Sequence, residues 1–216
     1  MSCCQCVGIE REFSGRRANW DLARYRRRGP GKPTLFLIEA LRRIGVEGRT
    51  LLDIGGGVGV IQQELLKSGA SRVTAVEASP AYVAAARSEA ERAGVADRVS
   101  YRSGDFVDLA SDVSAAHFVT MDKVICCYPY LDELLGAGAA KAKLALGLVY
   151  PRDNWPVRLG VRVHNLIRRL FRHPFRAFVH PASAVAAVAR SHGLEQVFYR
   201  KTVIWQVVVY ARSGAT

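Results

Sequence analysis

The sequence lacks any apolar run long enough to cross a membrane. A spanning helix needs roughly 18 to 20 consecutive apolar residues, and no stretch reaches that length although 50% of the 216 residues are hydrophobic. The first residues also lack the basic and apolar segments of a secretory signal. We therefore expect a soluble, cytoplasmic protein whose 216 residues form one domain.

Cysteine is scarce, and its distribution argues against a disulfide framework. The five cysteines are an odd number, divided between the start of the chain (Cys3, Cys4, Cys6) and a central pair (Cys126, Cys127). Cys-Cys-x-Cys is not a standard zinc spacing. If the N-terminal segment folds over the central pair, however, the five thiols would form a soft-ligand site. We therefore keep these five residues as a candidate metal site.

Acidic residues are also few, and the resulting positive charge is concentrated. The chain has 19 acidic against 31 basic residues, a net charge of +12. Residues 11–32 and residues 151–180 each carry a net +6, so the remainder is neutral. Such segregation indicates an anionic partner. A small anionic substrate is the preferred interpretation, an anionic membrane at residues 151–180 is the alternative, and nucleic acid is the least favoured.

One glycine-rich stretch organises the chain. An apolar run ends at Asp53 and is followed by Gly55, Gly56, Gly57 and Gly59. This pattern predicts a buried strand, a tight turn and a helix. Glycine allows positive φ angles and close approach of a ligand to the backbone. The dinucleotide order Gly-x-Gly-x-x-Gly is absent, and an acid at the strand end would repel a phosphate.

The order Asp-x-Gly-x-Gly-x-Gly resembles the S-adenosylmethionine (SAM) loop of the class I methyltransferases. A second strand ends in Glu77, 18 residues after Gly59, where a carboxylate can bind a ribose diol. A third strand is followed by Asp105 and Phe106, which match that family's adenine pocket. The resemblance implies SAM as cofactor, bound by Asp53, Gly55, Gly57, Gly59, Glu77, Ala78, Asp105, Phe106 and Asp122.

Strand and helix patterns alternate along the chain. Strands are predicted at 51–54, 72–77, 98–102, 117–125, 144–149, 194–200 and 203–211, and helices at 35–44, 58–67, 80–93, 130–141 and 181–192, with Thr34 as the N-cap of the first helix. Alternation predicts an α/β, Rossmann-like, mostly parallel sheet of seven strands covered on both faces. The last two strands are too close for a crossover and should form an antiparallel hairpin. This arrangement resembles the class I methyltransferase fold.

Two basic segments flank the predicted core of residues 35–150. Residues 1–34 are predicted to form a basic N-terminal cap of one or two short helices. After the core, residues 151–180 are predicted to form an inserted amphipathic helix in which arginines alternate with apolar residues. Residues 181–216 then supply the last helix and the last pair of strands. Its apolar stripe either packs on the core or faces a membrane surface.

The stretch after the fourth strand bears on the substrate. The Pro-Pro-Tyr motif of amino-methylating nucleic-acid enzymes is absent. Cys127-Tyr128-Pro129 instead resembles the His-Tyr-Pro that follows this strand in magnesium-protoporphyrin O-methyltransferases. The resemblance to that family extends to Arg11-Glu12-Phe13 and Trp20 near the start, and to Pro151-Arg152 before the basic helix. Cys127 stands where that family has histidine, so a general base is not carried over. Cys127 and Tyr128 are the candidate catalytic residues.

These features predict a SAM-dependent methyltransferase that acts on an anionic, partly apolar small molecule such as a porphyrin-type carboxylate. Tyr25, Arg152 and His180 are the candidate substrate-binding residues, because a mouth built from both basic segments would suit a carboxylate. One alternative is methyl transfer to a soft element or thiol held by the cysteines. Another is a non-catalytic protein of the same fold that binds nucleic acid or a membrane.

Overall fold

The structure, a computed structural model, describes residues 8–9 and 11–214. Its seven strands are β1 (Thr50–Ile54), β2 (Arg72–Glu77), β3 (Val99–Ser103), β4 (Ala116–Asp122), β5 (Ala142–Pro151), β6 (Leu194–Lys201) and β7 (Trp205–Arg212). The helices are α1 (Gly15–Arg28), α2 (Lys32–Ile44), α3 (Val60–Lys67), α4 (Pro80–Arg92), α5 (Phe106–Leu109), α6 (Leu131–Lys141), α7 (Trp155–Leu170) and α8 (Ala182–Ser191).

The strands form one sheet in the order β3-β2-β1-β4-β5-β7-β6. The first five run parallel, and β7 is antiparallel to both β5 and β6. The predicted α/β fold with its antiparallel C-terminal hairpin is therefore confirmed. Strand order reverses between β1 and β4, and in open α/β sheets a crevice forms beyond the carboxyl ends of the strands at such a point.

Two apolar layers cover the two faces of the sheet. On one face, Leu37 and Leu41 of α2 and Leu65 of α3 pack against strand residues such as Leu51 and Val207. On the other face, α6, α8 and the short α5 pack against the alternate residues of β1, β4, β5 and β7. Alternate residues of the central strands thus enter opposite layers, which is why these strands read as nearly continuous apolar runs.

Several predicted boundaries are wrong, and each has a local cause. Helix α2 begins at Lys32 instead of after Thr34, because Pro33 fits the first turn of a helix and Gly31 supplies the N-cap. Thr34 is consequently a buried residue within the helix. Strand β4 ends at Asp122 instead of residue 125, because Lys123 adopts a positive φ of 64° that ends the extended chain.

Helix α7 packs on the protein along one narrow side only. Val157, Val161, Asn165 and Arg168 are its half-buried residues, and none of its residues is fully buried. The Asn165 side chain donates to the carbonyl of Ala177 (2.8 Å) and accepts from its amide (2.9 Å). The apolar stripe points outward, so the first of the two alternatives drawn from the sequence, packing of the stripe on the core, does not hold. In the part of the chain that the structure describes, no helix is long and apolar enough to span a bilayer.

We expect this difference in packing to appear in stability. Leu37→Ala should lower the free energy of unfolding by about 2 to 5 kcal/mol, because Leu37 is fully buried and its loss leaves a cavity. Leu170→Ala should change it by less than about 0.5 kcal/mol, because Leu170 is 73% exposed. Urea titration followed by circular dichroism measures both. A loss at Leu170 comparable to that at Leu37 would mean that α7 is packed inward.

Candidate active site

A cavity of about 360 Å³ opens beyond the carboxyl ends of β1, β2 and β4. The core contributes the glycine loop, the ends of β2 and β4 and the turn before α5, while the N-terminal cap contributes the opposite wall. The core residues that line it include Asp53, Gly55, Gly57, Glu77, Ala78, Asp105, Phe106, Asp122, Lys123, Cys127 and Tyr128. Eight of the nine predicted cofactor residues therefore line one cavity, and the ninth, Gly59, is the N-cap of α3.

The glycine loop has the geometry that its sequence predicts. Gly55, Gly57 and Gly59 have φ angles of +63°, +57° and +82°, which other residues rarely adopt. Gly55 donates to the carbonyl of Val76 (2.7 Å), joining the loop to β2. A Cβ at Gly55 would lie 2.5 Å from Val124. The loop therefore presents backbone to the cavity at a point where a side chain would not fit.

Asp53 lies at the cavity wall, but its side chain is almost fully buried and hydrogen-bonds to the elements that carry the glycine loop. Its carboxylate is buried and accepts from Thr120 Oγ1 (2.6 Å) and Gln62 Nε2 (3.0 Å). Burial raises the pKa of Asp53 to about 7, although both hydrogen bonds oppose that shift. Asp53 thus joins β1, β4 and α3, and its contribution to ligand binding would act through the position of the loop.

Glu77 connects the glycine loop to the turn after β2. Its carboxylate accepts from the amides of Gly57 (3.0 Å) and Ser79 (2.8 Å). Burial raises the pKa of Glu77, and the backbone hydrogen bonds oppose the shift. A carboxylate has about four lone-pair directions. Glu77 can therefore hold the loop and still accept hydrogen bonds from a diol in the cavity.

The far end of the core wall is formed by Asp105, Phe106 and Tyr128. Asp105 is the N-cap of α5 through the amide of Val107 (3.0 Å), and it accepts from the hydroxyl of Tyr128 at 3.2 Å. Phe106 is buried but reaches the cavity. An aromatic ring and a carboxylate at this position suit a purine with an exocyclic amine.

A polar network at the end of β4 was not predicted from the sequence. Asp122 accepts from Thr34 Oγ1 (2.6 Å) and from Lys123 Nζ (2.8 Å), and Lys123 also contacts the Thr34 hydroxyl (3.1 Å). The positive φ of Lys123 turns its side chain back toward this network. The Lys123 ammonium therefore balances the charge of Asp122 at the cavity wall. The hydrogen bond from Thr34 also ties α2 to the end of β4.

Residues of the N-terminal cap form the opposite wall of the cavity. Phe13, Arg17, Asp21, Arg24 and Tyr25 all line it. Tyr25 donates to Glu64 (2.9 Å), and Asp21 accepts from the hydroxyl of Tyr82. Arg17 pairs with Glu12 (3.1 Å) and lies over the Phe13 ring. Tyr25 was predicted, whereas Arg17 and Arg24 were recognised only as part of a charged segment.

The other two predicted substrate residues lie elsewhere. Arg152 is outside the described cavity lining and donates to the carbonyls of Thr202 and Val203 (3.3 Å each), which holds the β6–β7 turn. His180 contacts the carbonyls of Ile125 (2.9 Å) and Tyr128 (3.0 Å) from behind the cavity wall. No residue of α7 lines the cavity either. The structure thus does not bring the two basic segments together as one mouth.

The central cysteines differ in their access to the cavity. Cys126 is buried, while Cys127 lines the cavity with its sulfur 3.9 Å from that of Cys126. The hydrogen bond with Cys126 and burial raise the pKa of the Cys127 thiol. Cys3, Cys4 and Cys6 lie outside the described residues. Within residues 8–9 and 11–214, no three metal-binding side chains cluster together, so the five-cysteine metal site stays a prediction.

Asp53 should make stability depend on pH. The folded state retains a proton that the unfolded chain releases near pH 4, so the wild type should lose stability between about pH 4 and about pH 7. Asp53→Asn lacks this charge. Its unfolding free energy relative to wild type should therefore rise by up to about 1.4 kcal/mol per pH unit and level off above about pH 7. Urea titrations across that range, with exposed Glu91→Gln as control, measure the difference. A constant difference would contradict the raised pKa.

Comparison with known proteins agrees with this geometry. Residues 51–140 match the family described as "Methyltransferase domain". Ribosomal protein L11 methyltransferases from Edwardsiella ictaluri and Pectobacterium carotovorum are 30% and 32% identical over 152 and 93 residues, which are 62% and 42% of this chain. The chain spans 52% and 32% of the lengths of these two relatives.

Solved structures share the fold over nearly the whole chain. Magnesium protoporphyrin IX methyltransferase from Synechocystis PCC 6803 with bound SAH superposes with a TM-score of 0.73 at 19% identity, covering 97% of this chain and 100% of that one. An O-methyltransferase family protein from Burkholderia thailandensis gives 0.70 at 19% identity over 95% and 63%. The domain matched over residues 51–140, the glycine loop and the seven-stranded sheet thus agree in giving this chain a methyltransferase domain with the class I, SAM-dependent fold.

Proposed function

We propose that this chain transfers the methyl group of SAM to a carboxylate of an anionic, partly apolar small molecule, such as a porphyrin-type acid. The observation that best supports this proposal is that the glycine loop lines the same cavity as the aromatic rings and guanidinium groups of the N-terminal cap. The first wall suits a nucleoside with a cationic centre. The second suits an acceptor that is both flat and acidic.

The fit of SAM rests on the residues of the core wall. The glycine loop leaves backbone exposed where a Cβ would collide, as at Gly55. Glu77 is positioned for a ribose diol, and Asp105 with Phe106 for the adenine. When bound, SAM supplies a methyl group activated by a sulfonium. The protein's part is to hold that methyl in line with the acceptor oxygen.

Arg24 is the strongest candidate for binding the acceptor. It is half-buried at the cavity wall, and within the described part of the chain no carboxylate lies within ion-pair distance of its guanidinium. Arg17 lines the same wall but is paired with Glu12. A guanidinium binds a carboxylate through two parallel hydrogen bonds, so Arg24 can orient an acid while Phe13 and Tyr25 contact its apolar part.

Methyl transfer to a carboxylate requires no general base here. The acceptor is ionised at neutral pH, so one oxygen forms the bond to the methyl carbon as the sulfur–carbon bond breaks, and the leaving group is a neutral thioether. No proton moves. This suits a cavity in which Cys127, at the position of the expected histidine, has a raised thiol pKa, so that the thiol stays protonated at neutral pH and cannot accept a proton.

Comparison with the relatives does not identify the methyl acceptor of this chain. The ribosomal protein L11 methyltransferases match this chain over only part of their lengths, so their substrate is not carried over. Methyl transfer to a soft element or thiol remains a second candidate because Cys127 lines the cavity. The raised pKa of that thiol disfavours it, since the thiolate is the form that binds soft ligands.

The first experiment tests the cofactor. Glu77→Ala should weaken SAM binding at least tenfold, about 1.4 kcal/mol, because the diol loses its acceptor and the Gly57 amide loses its partner. Isothermal calorimetry with SAM measures the change. Exposed Glu91→Ala is the matched control and should bind as the wild type does. Unchanged affinity in Glu77→Ala would refute the ribose assignment.

The second experiment tests the acceptor. With labelled SAM and a panel of aromatic and tetrapyrrole carboxylic acids, methyl ester should form from the free acids and not from the same acids already esterified. Arg24→Gln should raise KM for the active acids about 10- to 100-fold, because a charge-assisted hydrogen-bond pair is lost. SAM affinity should not change, which separates this result from failure of the cofactor site.

Exposed Arg27→Gln, on the same helix, is the control for loss of one charge. Arg152→Gln distinguishes Arg152, which the sequence predicted as the acceptor-binding arginine, from Arg24, which the cavity favours. If Arg152→Gln raises KM and Arg24→Gln does not, the acceptor is bound by the segment predicted from the sequence, and the cavity assignment is wrong.

A further inference from the structure

Helix α7 exposes a continuous apolar stripe that the proposed methyl transfer does not use. Its 16 residues contain no acid. The large apolar side chains left exposed along the helix and just past its end are Trp155 (76% exposed), Leu159, Val163, Leu166, Ile167, Leu170 and Phe171 (77%). Soluble monomers rarely leave so large a contiguous apolar patch uncovered, and such patches mark interaction sites.

The stripe faces directly away from the body of the protein. Residues advance by about 100° along a helix, so the half-buried Val157, Val161, Asn165 and Arg168 lie on one side. Leu159, Val163, Leu166 and Leu170 occupy the opposite side. Asn165 and Arg168 fasten the inner side through Ala177 and Glu12. The helix is therefore held firmly while its apolar side stays in solvent.

Arginines follow one edge of this stripe. Arg158, Arg162 and Arg169 lie beside it, and all three are exposed. Arg158 pairs with Asp153 just before the helix. Among the residues that the structure describes, no carboxylate pairs with Arg162 or Arg169. A row of uncompensated positive charge next to an apolar stripe is the pattern of a helix that lies in a lipid interface.

The turn between β6 and β7 extends the same surface. Val203 is 83% exposed, and Ile204 is half exposed. Both line a groove shared with Pro156 and Gly160 at the start of α7. Arg152 fixes this turn by donating to its carbonyls. The apolar surface thus continues from the helix onto a second element that the protein also holds in place.

We propose that α7 and the β6–β7 turn form a docking surface for an anionic lipid bilayer. The helix, roughly 24 Å long, would lie in the plane of the interface with its apolar stripe among the acyl chains and Arg162 and Arg169 at the headgroups. Trp155 and Phe171 mark the two ends of the stripe, and aromatic rings favour the membrane interface.

The charge pattern favours lipid over the other occupants. A second copy of this chain would bring the same acid-free, arginine-rich surface against itself, and like charges oppose one another. Nucleic acid would contact the arginines but leave the leucines and Trp155 without apolar partners, since its binding is dominated by phosphate contacts. An anionic bilayer satisfies both the apolar stripe and its charged edge.

Vesicle flotation of the full chain tests this proposal. The wild type should float with phosphatidylcholine vesicles that contain phosphatidylglycerol and remain below with phosphatidylcholine alone. Leu159→Gln, Leu166→Gln and Leu170→Gln together should reduce partitioning at least about tenfold. Arg162→Gln with Arg169→Gln should reduce it about thirtyfold, and only at low to physiological salt. Exposed Arg43→Gln with Arg102→Gln removes the same charge elsewhere and should have little effect.

Trp155 provides a second readout. Lipids brominated on the acyl chains should quench tryptophan fluorescence of the bound protein, and Trp155→Phe should abolish most of that quenching. Calorimetry with SAM checks that each variant is folded. The proposal fails if the wild type does not float, if phosphatidylglycerol makes no difference, or if the leucine variant binds as the wild type does. It also fails if those leucine changes dissolve a dimer seen by sedimentation without vesicles.

Discussion

The buried carboxylate of Asp53 is the constraint on which the cofactor site depends. It joins the end of β1 to β4 through Thr120 and to α3 through Gln62, and the glycine loop spans the gap between these elements. Burying a carboxylate is costly unless hydrogen bonds compensate. The raised pKa of Asp53 shows that the compensation is incomplete. The site therefore gives up some stability to fix the loop that receives the ligand, as functional sites commonly do.

The sequence predicted the parts of the fold that local physics determines. Apolar runs became central strands because both faces of a parallel sheet are buried, and the glycines after Asp53 became a left-handed turn because few other residues can adopt it. Glu77 and Asp105 reach the cavity because Glu77 ends one parallel strand and Asp105 comes just after another, and the carboxyl ends of parallel strands meet at one edge of the sheet. Boundaries were less predictable. The end of β4 depended on one positive φ at Lys123, for which the sequence carries no signal.

The partners of charged side chains could not be predicted, because they depend on the direction in which each element faces. Arg152 follows β5 at the correct edge of the sheet, yet its side chain turns to the β6–β7 turn. The seven arginines of residues 151–180 look alike in sequence. Only the structure separates Arg168, which faces inward to Glu12, from Arg162 and Arg169, which face solvent. Net charge thus predicted an anionic partner but not that the two basic segments have different surroundings.

Glu12 contacts both the cavity wall and helix α7. It accepts from Arg17, which lines the cavity, and from Arg168 on the inner side of α7. Both ion pairs are partly exposed, and such pairs contribute up to about 1 kcal/mol each. Loss of either ion pair would therefore change a binding equilibrium at the cavity or at α7 by no more than about fivefold. Apolar contact between Phe13 and Phe175 gives the same two segments a second, charge-independent connection. The cavity wall and helix α7 are thus connected by direct contacts. Because the ion pairs are weak and the ring contact carries no charge, neither region depends on the ion pairs to keep its structure.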